Sequence, residues 1–142
     1  MDMKKFLMGT IAGGVSYFFL GYLIYGMALA GFMAEHAGSA TGAMRTDMDL
    51  VFWSIAIGNL MTAALLTMIF LKWANVSSFG GGASAGASIG LLMAAGIDFT
   101  MYGTSNVMDL TGVCVDIVAA TIMAGIVGGV IGAVLGMGSK SA

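Results

Sequence analysis

Long uncharged stretches alternate with short polar segments along this chain. Four of the stretches can each cross a bilayer as a helix, because about 20 apolar residues at ~1.5 Å per residue span ~30 Å of hydrocarbon. They cover residues 6–32, 50–71, 80–102 and 110–138, and the longest polar segment between them is the loop 33–49. The pattern predicts an all-α polytopic membrane protein, a single domain built as a bundle of four transmembrane helices.

The composition agrees with a bilayer environment. Of the 142 residues, 59% are hydrophobic and 8% are charged, whereas soluble domains carry roughly a quarter charged residues. The single cysteine, Cys114, excludes an internal disulfide, and the lone His36 excludes paired histidine ligands for haem or zinc. We therefore expect no cofactor, no metal centre and no enzyme activity, and the net charge of −2 gives no reason to expect a nucleic-acid partner.

The cationic residues predict the orientation in the membrane, because cytoplasmic loops are enriched in lysine and arginine. With four spans, four of the five cationic residues fall on one side: Lys4, Lys5, Lys72 and Lys140. Arg45 falls on the other side, within the acidic loop 33–49. We expect both termini in the cytoplasm, the loop outside, and a first span that is retained rather than cleaved as a signal peptide.

Small residues recur at every fourth position in the third and fourth spans. The glycines of these ladders are Gly82, Gly86 and Gly90 in the third span and Gly128, Gly132 and Gly136 in the fourth. GxxxG spacing lets membrane helices approach closely, so these glycines are candidate helix-packing positions.

Pairing the two ladders as antiparallel neighbours predicts a register. If Gly86 lies opposite Gly128, then Asp98 lies opposite Asp116 in the outer half of the membrane. A row of every fourth residue drifts by about 40° per step around a helix, so the helices can also splay toward the acids and leave a cleft between them.

Asp98 and Asp116 are the candidate ion-binding residues. An aspartate facing lipid near mid-membrane costs at least ~2.5–3.5 kcal/mol, so intramembrane acids usually face protein or water. Two close carboxylates favour a shared proton or a bound cation, and Tyr25 and Asn59 are the expected polar partners. The alternative is structural, with each acid accepting a hydrogen bond from a neighbour such as Thr100. Asp109 is predicted to be a helix N-cap.

Two other features have simpler explanations. Met44 and Met48 have the MxxxM spacing that suits Cu(I), but they fall in a loop and methionine is also a flexible packing residue. His36 follows Glu35 and is interpreted as an ordinary loop histidine.

The sequence resembles a family of small bacterial four-helix inner-membrane proteins of unknown function. The resemblance is carried by "FFLGYLIYG" at 18–26, "DFTMYGTSN" at 98–106 and "AGIVGGVIGAVLG" at 124–136. It implies a multi-pass protein of the bacterial inner membrane and no particular activity.

Two functional hypotheses follow. In the first, the protein forms homo-oligomers in the lipid bilayer through its glycine faces, and its outer-half acidic site binds protons or cations, as in a transporter or channel. In the second, it is a non-catalytic structural or assembly subunit of a larger membrane complex, and the acids satisfy local donors.

Overall fold

The computed structural model of the protein describes residues 1–137, and within them every regular element is a helix. Four helical segments are long and apolar enough to cross a membrane: Met3–Ala28, Phe52–Ala74, Phe79–Thr104 and Leu110–Gly136. This confirms the prediction of an all-helical protein with four candidate membrane spans. The predicted end of the fourth span at Gly138 and the cationic Lys140 lie outside the described residues.

Two of the spans combine α-helix with a π-helical segment. In chain order the elements are α1 (Met3–Gly21) with a π-helical extension (Tyr22–Ala28), the short α2 (Ala30–Glu35), a 3₁₀ turn (Asp47–Asp49), α3 (Phe52–Ile69) with a π-helical extension (Phe70–Ala74), α4 (Phe79–Thr104) and α5 (Leu110–Gly136). The first π-helical segment ends where the Leu29 amide donates to the Ile24 carbonyl at 2.7 Å. π-helical segments are rare in proteins overall, but where they occur they are often at functional sites.

Polar residues at the helix ends explain where the spans begin and stop. Asp2 caps α1, Ser78 accepts a hydrogen bond from the Gly81 amide at the start of α4, and Asp109 accepts one from the Gly112 amide at the start of α5. These side chains satisfy amides that have no partner inside the helix. The predicted N-cap role of Asp109 is confirmed. Asn75, at a φ of 49°, ends the α3 span in the left-handed conformation typical of helix C-termini.

The four long helices pack in the spatial order α3, α1, α5, α4. The most extensive contact is between α4 and α5, α1 packs against both α3 and α5, and α3 touches α5 only slightly. The core lies where α1, α3 and α5 meet, and its largest fully buried side chains are Phe70, Ile131, Leu135 and Val127. Because α3 and α4 do not pack along each other, a groove remains between them.

Close contacts at α1 fix the relative depths of the helices. A Cβ added to Gly13 would touch both Ala63 of α3 and Ile131 of α5, and one added to Gly9 would touch Thr67. These residues therefore lie at matching levels along the bundle. Lys4 and Lys72 consequently lie at the same end of the bundle, and the turn between α4 and α5 lies at the opposite end.

Candidate functional site

The α4–α5 contact is made of backbone pressed against backbone. A Cβ added to Gly82 would collide with the Gly128 carbonyl oxygen, and one added to Gly86 would lie 3.0 Å from the Gly128 Cα. A Cβ added to Gly90 would collide with the methyl group of Ala124. Glycine lets membrane helices approach this closely because nothing projects between the two backbones.

The remaining glycines of the two ladders also lie in this contact. A Cβ on Gly132 would collide with the Ser78 carbonyl and lie 3.0 Å from the Gly82 Cα, and one on Gly136 would collide with the Ser77 carbonyl. All six ladder glycines are therefore used within one copy of the chain, in the α4–α5 pair and in the turn that leads into α4.

The register of these two helices brings Asp98 and Asp116 together. Their carboxyl groups lie close to each other. Asp98 is 6% exposed, and its Oδ2 is buried without a hydrogen-bond partner among the described residues. Two carboxyl groups form a hydrogen bond only when one of them carries a proton, because an ionised carboxylate is purely an acceptor.

Tyr25 completes the cluster from the first span. Its side chain lies close to both Asp116 and Asp98. Tyr25 belongs to the π-helical extension of α1, where each turn of helix holds more residues than in an α-helix. The extension therefore changes which face of the first span meets α5 at this level.

Asn59 does not join the cluster. It is half-buried on α3, and no interaction connects it to Asp98, Asp116 or Tyr25 among the described residues. The depths of the helices explain this. Ala63 and Ile131 lie at the same level of the bundle, because both are next to Gly13. Asn59 lies about one helical turn above this level, whereas Asp116 lies about four turns above it.

The acidic cluster lies far from the end of the bundle that carries the lysines. Asp116 is about 22 Å along α5 from Ile131, and Lys72 lies about 12 Å below Ala63 in the other direction. The separation along the bundle is thus roughly 35 Å, slightly more than the ~30 Å of a typical hydrocarbon core. The cluster lies near one boundary of the hydrocarbon region if the lysines lie at the other.

No cationic side chain within residues 1–137 is ion-paired with either acid of the cluster. His36 forms an ion pair with Asp109 instead. Thr100, the expected hydrogen-bond donor to Asp98, donates to the Gly96 carbonyl at 2.7 Å instead. Within the described residues no group of three or more His, Cys, Asp or Glu is arranged to hold a metal ion.

Two paired loops lie beyond the cluster, at the same end of the bundle. The loop after α2 pairs with the α4–α5 turn: the Gly38 amide donates to the Val107 carbonyl at 2.8 Å, and the Ala40 amide to the Asn106 carbonyl at 3.0 Å. We call residues 36–40 and 105–109 together the outer clasp, where outer means only the end of the bundle away from Lys4 and Lys72. It links the first and last spans about 10 Å beyond Asp116.

His36 and Asp109 fasten the outer clasp. The His36 Nδ1 lies 2.8 Å from the Asp109 Oδ2, and the imidazole lies 4.3 Å from the Phe32 ring. Hydrogen bonds from the Gly112 amide and from His36 hold the pKa of Asp109 below its usual range. Sequence reasoning missed this pairing, because neither residue carries a local signal that identifies the other.

A largely apolar groove with a volume of about 150 Å³ lies between the cluster and the middle of the bundle. Six of the side chains that line it are Tyr17, Thr62, Leu65, Met93, Ala94 and Ala120. Tyr17 of α1 and Ala120 of α5 form its floor, and α3 and α4 form its walls. Sequence analysis did not predict this groove, which depends on the separation of α3 from α4.

No family model, curated protein sequence or solved structure matches this chain.

Proposed function

We propose that this chain is a small integral protein of the bacterial inner membrane, with both termini in the cytoplasm, that binds protons or cations at Asp98 and Asp116 and acts in their transport. The single observation that carries the proposal is the buried Asp98 Oδ2, which has no hydrogen-bond partner among the described residues and lies beside a second carboxyl group. Tyr25 supplies a neutral oxygen next to the pair.

The electrostatics of the pair support this function. Two carboxylates in contact repel each other, and burial penalises each negative charge further. A proton shared between them or a cation bound to them removes both penalties. No lysine, arginine or histidine is ion-paired with either acid within residues 1–137, so none of these side chains supplies the compensating charge. Exchange of one compensating ion for another is the elementary step of a coupled transporter.

The proposal includes a homo-oligomer. A bundle of four helices encloses little volume, and in this chain the groove between α3 and α4 opens sideways instead of crossing the bundle. A second copy of the chain packed beside this groove, without covering its opening, would complete a path past Asp98.

Flux measurements on reconstituted protein test the proposal. Proteoliposomes with an internal pH indicator are given an inward gradient of Na⁺ or K⁺, and cation-driven proton efflux is recorded. We expect Asp98→Asn and Asp116→Asn each to reduce the flux at least about tenfold while the protein still extracts as a single species. Asp49→Asn is the matched control. Asp49 is exposed and accepts a hydrogen bond from Thr46 at 3.0 Å, which an asparagine oxygen can also accept.

Flux that is unchanged in both cluster variants would overturn the transport proposal. Native mass spectrometry of the protein released from its own membrane gives an independent check. A homo-oligomer of fixed stoichiometry supports a self-contained transporter, whereas a reproducible complex with foreign subunits supports the structural or assembly role.

A further inference from the structure

The apolar groove and the acidic cluster are neighbours along α4 and α5. Ala94 and Ala120 line the groove, and Asp98 and Asp116 each lie four residues further toward the cluster end. Residues four apart share a face of an α-helix and are separated by about 6 Å along its axis. The end of the groove is therefore one helical turn from the pair of carboxyl groups.

We propose that the groove and the cluster together form a binding site for a lipophilic organic cation, in which the apolar body lies in the groove and an ammonium group lies between Asp98 and Asp116. This inference rests on the proposed cation site and names the class of cation that the site accepts. The ligand enters from the bilayer between α3 and α4, and its charge replaces the proton or inorganic ion at the carboxyl pair.

Charge complementarity is the first argument for this occupant. Asp98 offers a buried oxygen without a partner, and Asp116 offers a second carboxyl group next to it. An ammonium group donates hydrogen bonds and carries positive charge, so it satisfies both requirements at once. An anionic or neutral lipid would leave the carboxyl pair uncompensated.

The size and lining of the groove define the rest of the ligand. A volume of about 150 Å³ matches that of cavities that hold a benzene ring. The lining is apolar except at Thr62 and Tyr17, and the Thr62 hydroxyl already donates to the Gly58 carbonyl at 3.0 Å. The Tyr17 ring adds an aromatic surface 6% exposed to solvent. The fitting ligand thus has one ring-sized apolar body and an ammonium group about 6–9 Å away.

The route into the site follows from the packing order. α4 packs along α5 but not along α3, so the groove opens on the flank of the bundle that faces lipid in a bilayer. On that flank Leu65 is 37% exposed and Met93 is 41% exposed. At the polar end the outer clasp covers the bundle beyond the cluster. Lateral entry therefore suits a ligand that first partitions into the membrane.

Binding of phenylbutylammonium to the full-length protein in lipid nanodiscs tests the inference, with empty nanodiscs subtracted as background. Phenylbutanol, which has the same body without the charge, is the matched ligand. We expect the ammonium compound to bind at least about tenfold more tightly than the alcohol. Asp98→Asn should weaken the binding of the ammonium compound about tenfold and leave that of the alcohol unchanged.

A second pair of variants tests the groove separately. Thr62→Trp places a large side chain in the groove from its α3 wall, and we expect it to weaken both ligands about tenfold. Met61→Trp is the matched control, because Met61 is 62% exposed at the same depth but does not line the groove. It should bind both ligands as the unaltered protein does.

The outcomes separate this inference from the proposed function. If Asp98→Asn abolishes ion flux but phenylbutylammonium binds no better than phenylbutanol, or Thr62→Trp leaves its binding unchanged, the organic-cation inference is wrong and the proton or cation site stands. If Asp98→Asn changes neither flux nor ammonium binding, both are wrong. Binding that depends on both Asp98 and Thr62 supports the inference.

Discussion

His36 and Asp109 lie 73 residues apart in the chain and are joined by a contact of 2.8 Å between Nδ1 and Oδ2. The contact is reinforced in the backbone, because the Asp109 amide donates to the His36 carbonyl at 3.0 Å. One residue pair thus connects the end of the first span to the N-cap of the last. It closes the outer clasp above the acidic cluster.

The outer clasp should loosen in acid. The folded protein holds the pKa of Asp109 below its usual value, chiefly through the Gly112 amide and also through His36. A carboxyl group with a lowered pKa contributes stability above its unfolded pKa of about 3.9, and this contribution is lost as the pH falls through the folded value. We therefore expect the hydrogen-exchange protection of the Gly38 and Ala40 amides to fall below about pH 4.

Asp109→Asn isolates the carboxyl group in this experiment. Asparagine still caps a helix, so α5 should begin at the same residue, but its side chain does not titrate. We expect the protection of the two clasp amides to be weaker at neutral pH and independent of acid. The same acid dependence in this variant as in the unaltered protein would show that another group controls the clasp.

The number and approximate extent of the spans could be predicted from the sequence, because a bilayer imposes the length of every apolar stretch. The π-helical segments could not. An apolar stretch reads alike in a π-helix and in an α-helix, and the repeated tyrosine and glycine positions around Gly21 look the same in either type of helix. The spatial order of the four helices could not be predicted from the sequence either, because apolar residues occur on every face of each span.

The candidate site was predictable only in part. Asp98 and Asp116 stand out because acids are rare in apolar spans, and the ladder register suggested that they face each other. Asn59 stood out as a polar residue in an apolar span. Its depth relative to Asp116 depends on how α3 and α5 are aligned, and the contacts at Gly13 define that alignment. The apolar groove required the separation of α3 from α4, for which no sequence pattern exists.

Gly82 should be intolerant of any side chain. A Cβ at this position would collide with the Gly128 carbonyl oxygen, and backbone cannot yield as a flexible side chain can. Overpacking of this kind typically costs about 1–3 kcal/mol, so Gly82→Ala should lower the free energy of unfolding in bicelles by that amount. The measurement is a denaturant titration followed by helical circular dichroism.

Gly96→Ala is the control on the same helix. An added Cβ at Gly96 meets nothing within 4 Å, and alanine is the better helix former by up to ~1 kcal/mol. This variant should unfold at the same denaturant concentration as the unaltered protein or at a higher one. Equal losses of stability at Gly82 and Gly96 would mean that the α4–α5 approach does not stabilise the fold.

Asp98→Asn should make the protein more stable while it removes the proposed activity. In the unaltered protein two acids are in contact, and one oxygen of the buried Asp98 has no hydrogen-bond partner among the described residues. An asparagine amide can donate to Asp116 and carries no charge, so both the repulsion and the penalty for a buried charge are relieved. We expect the free energy of unfolding at neutral pH to rise by about 1–2 kcal/mol, as when a functional site is optimised for stability.

Asp49→Asn, on the exposed loop, is the control and should change the free energy of unfolding by less than about 0.5 kcal/mol. A loss of stability in Asp98→Asn would instead identify the carboxylate as a structural acceptor, which is what the assembly-subunit hypothesis requires.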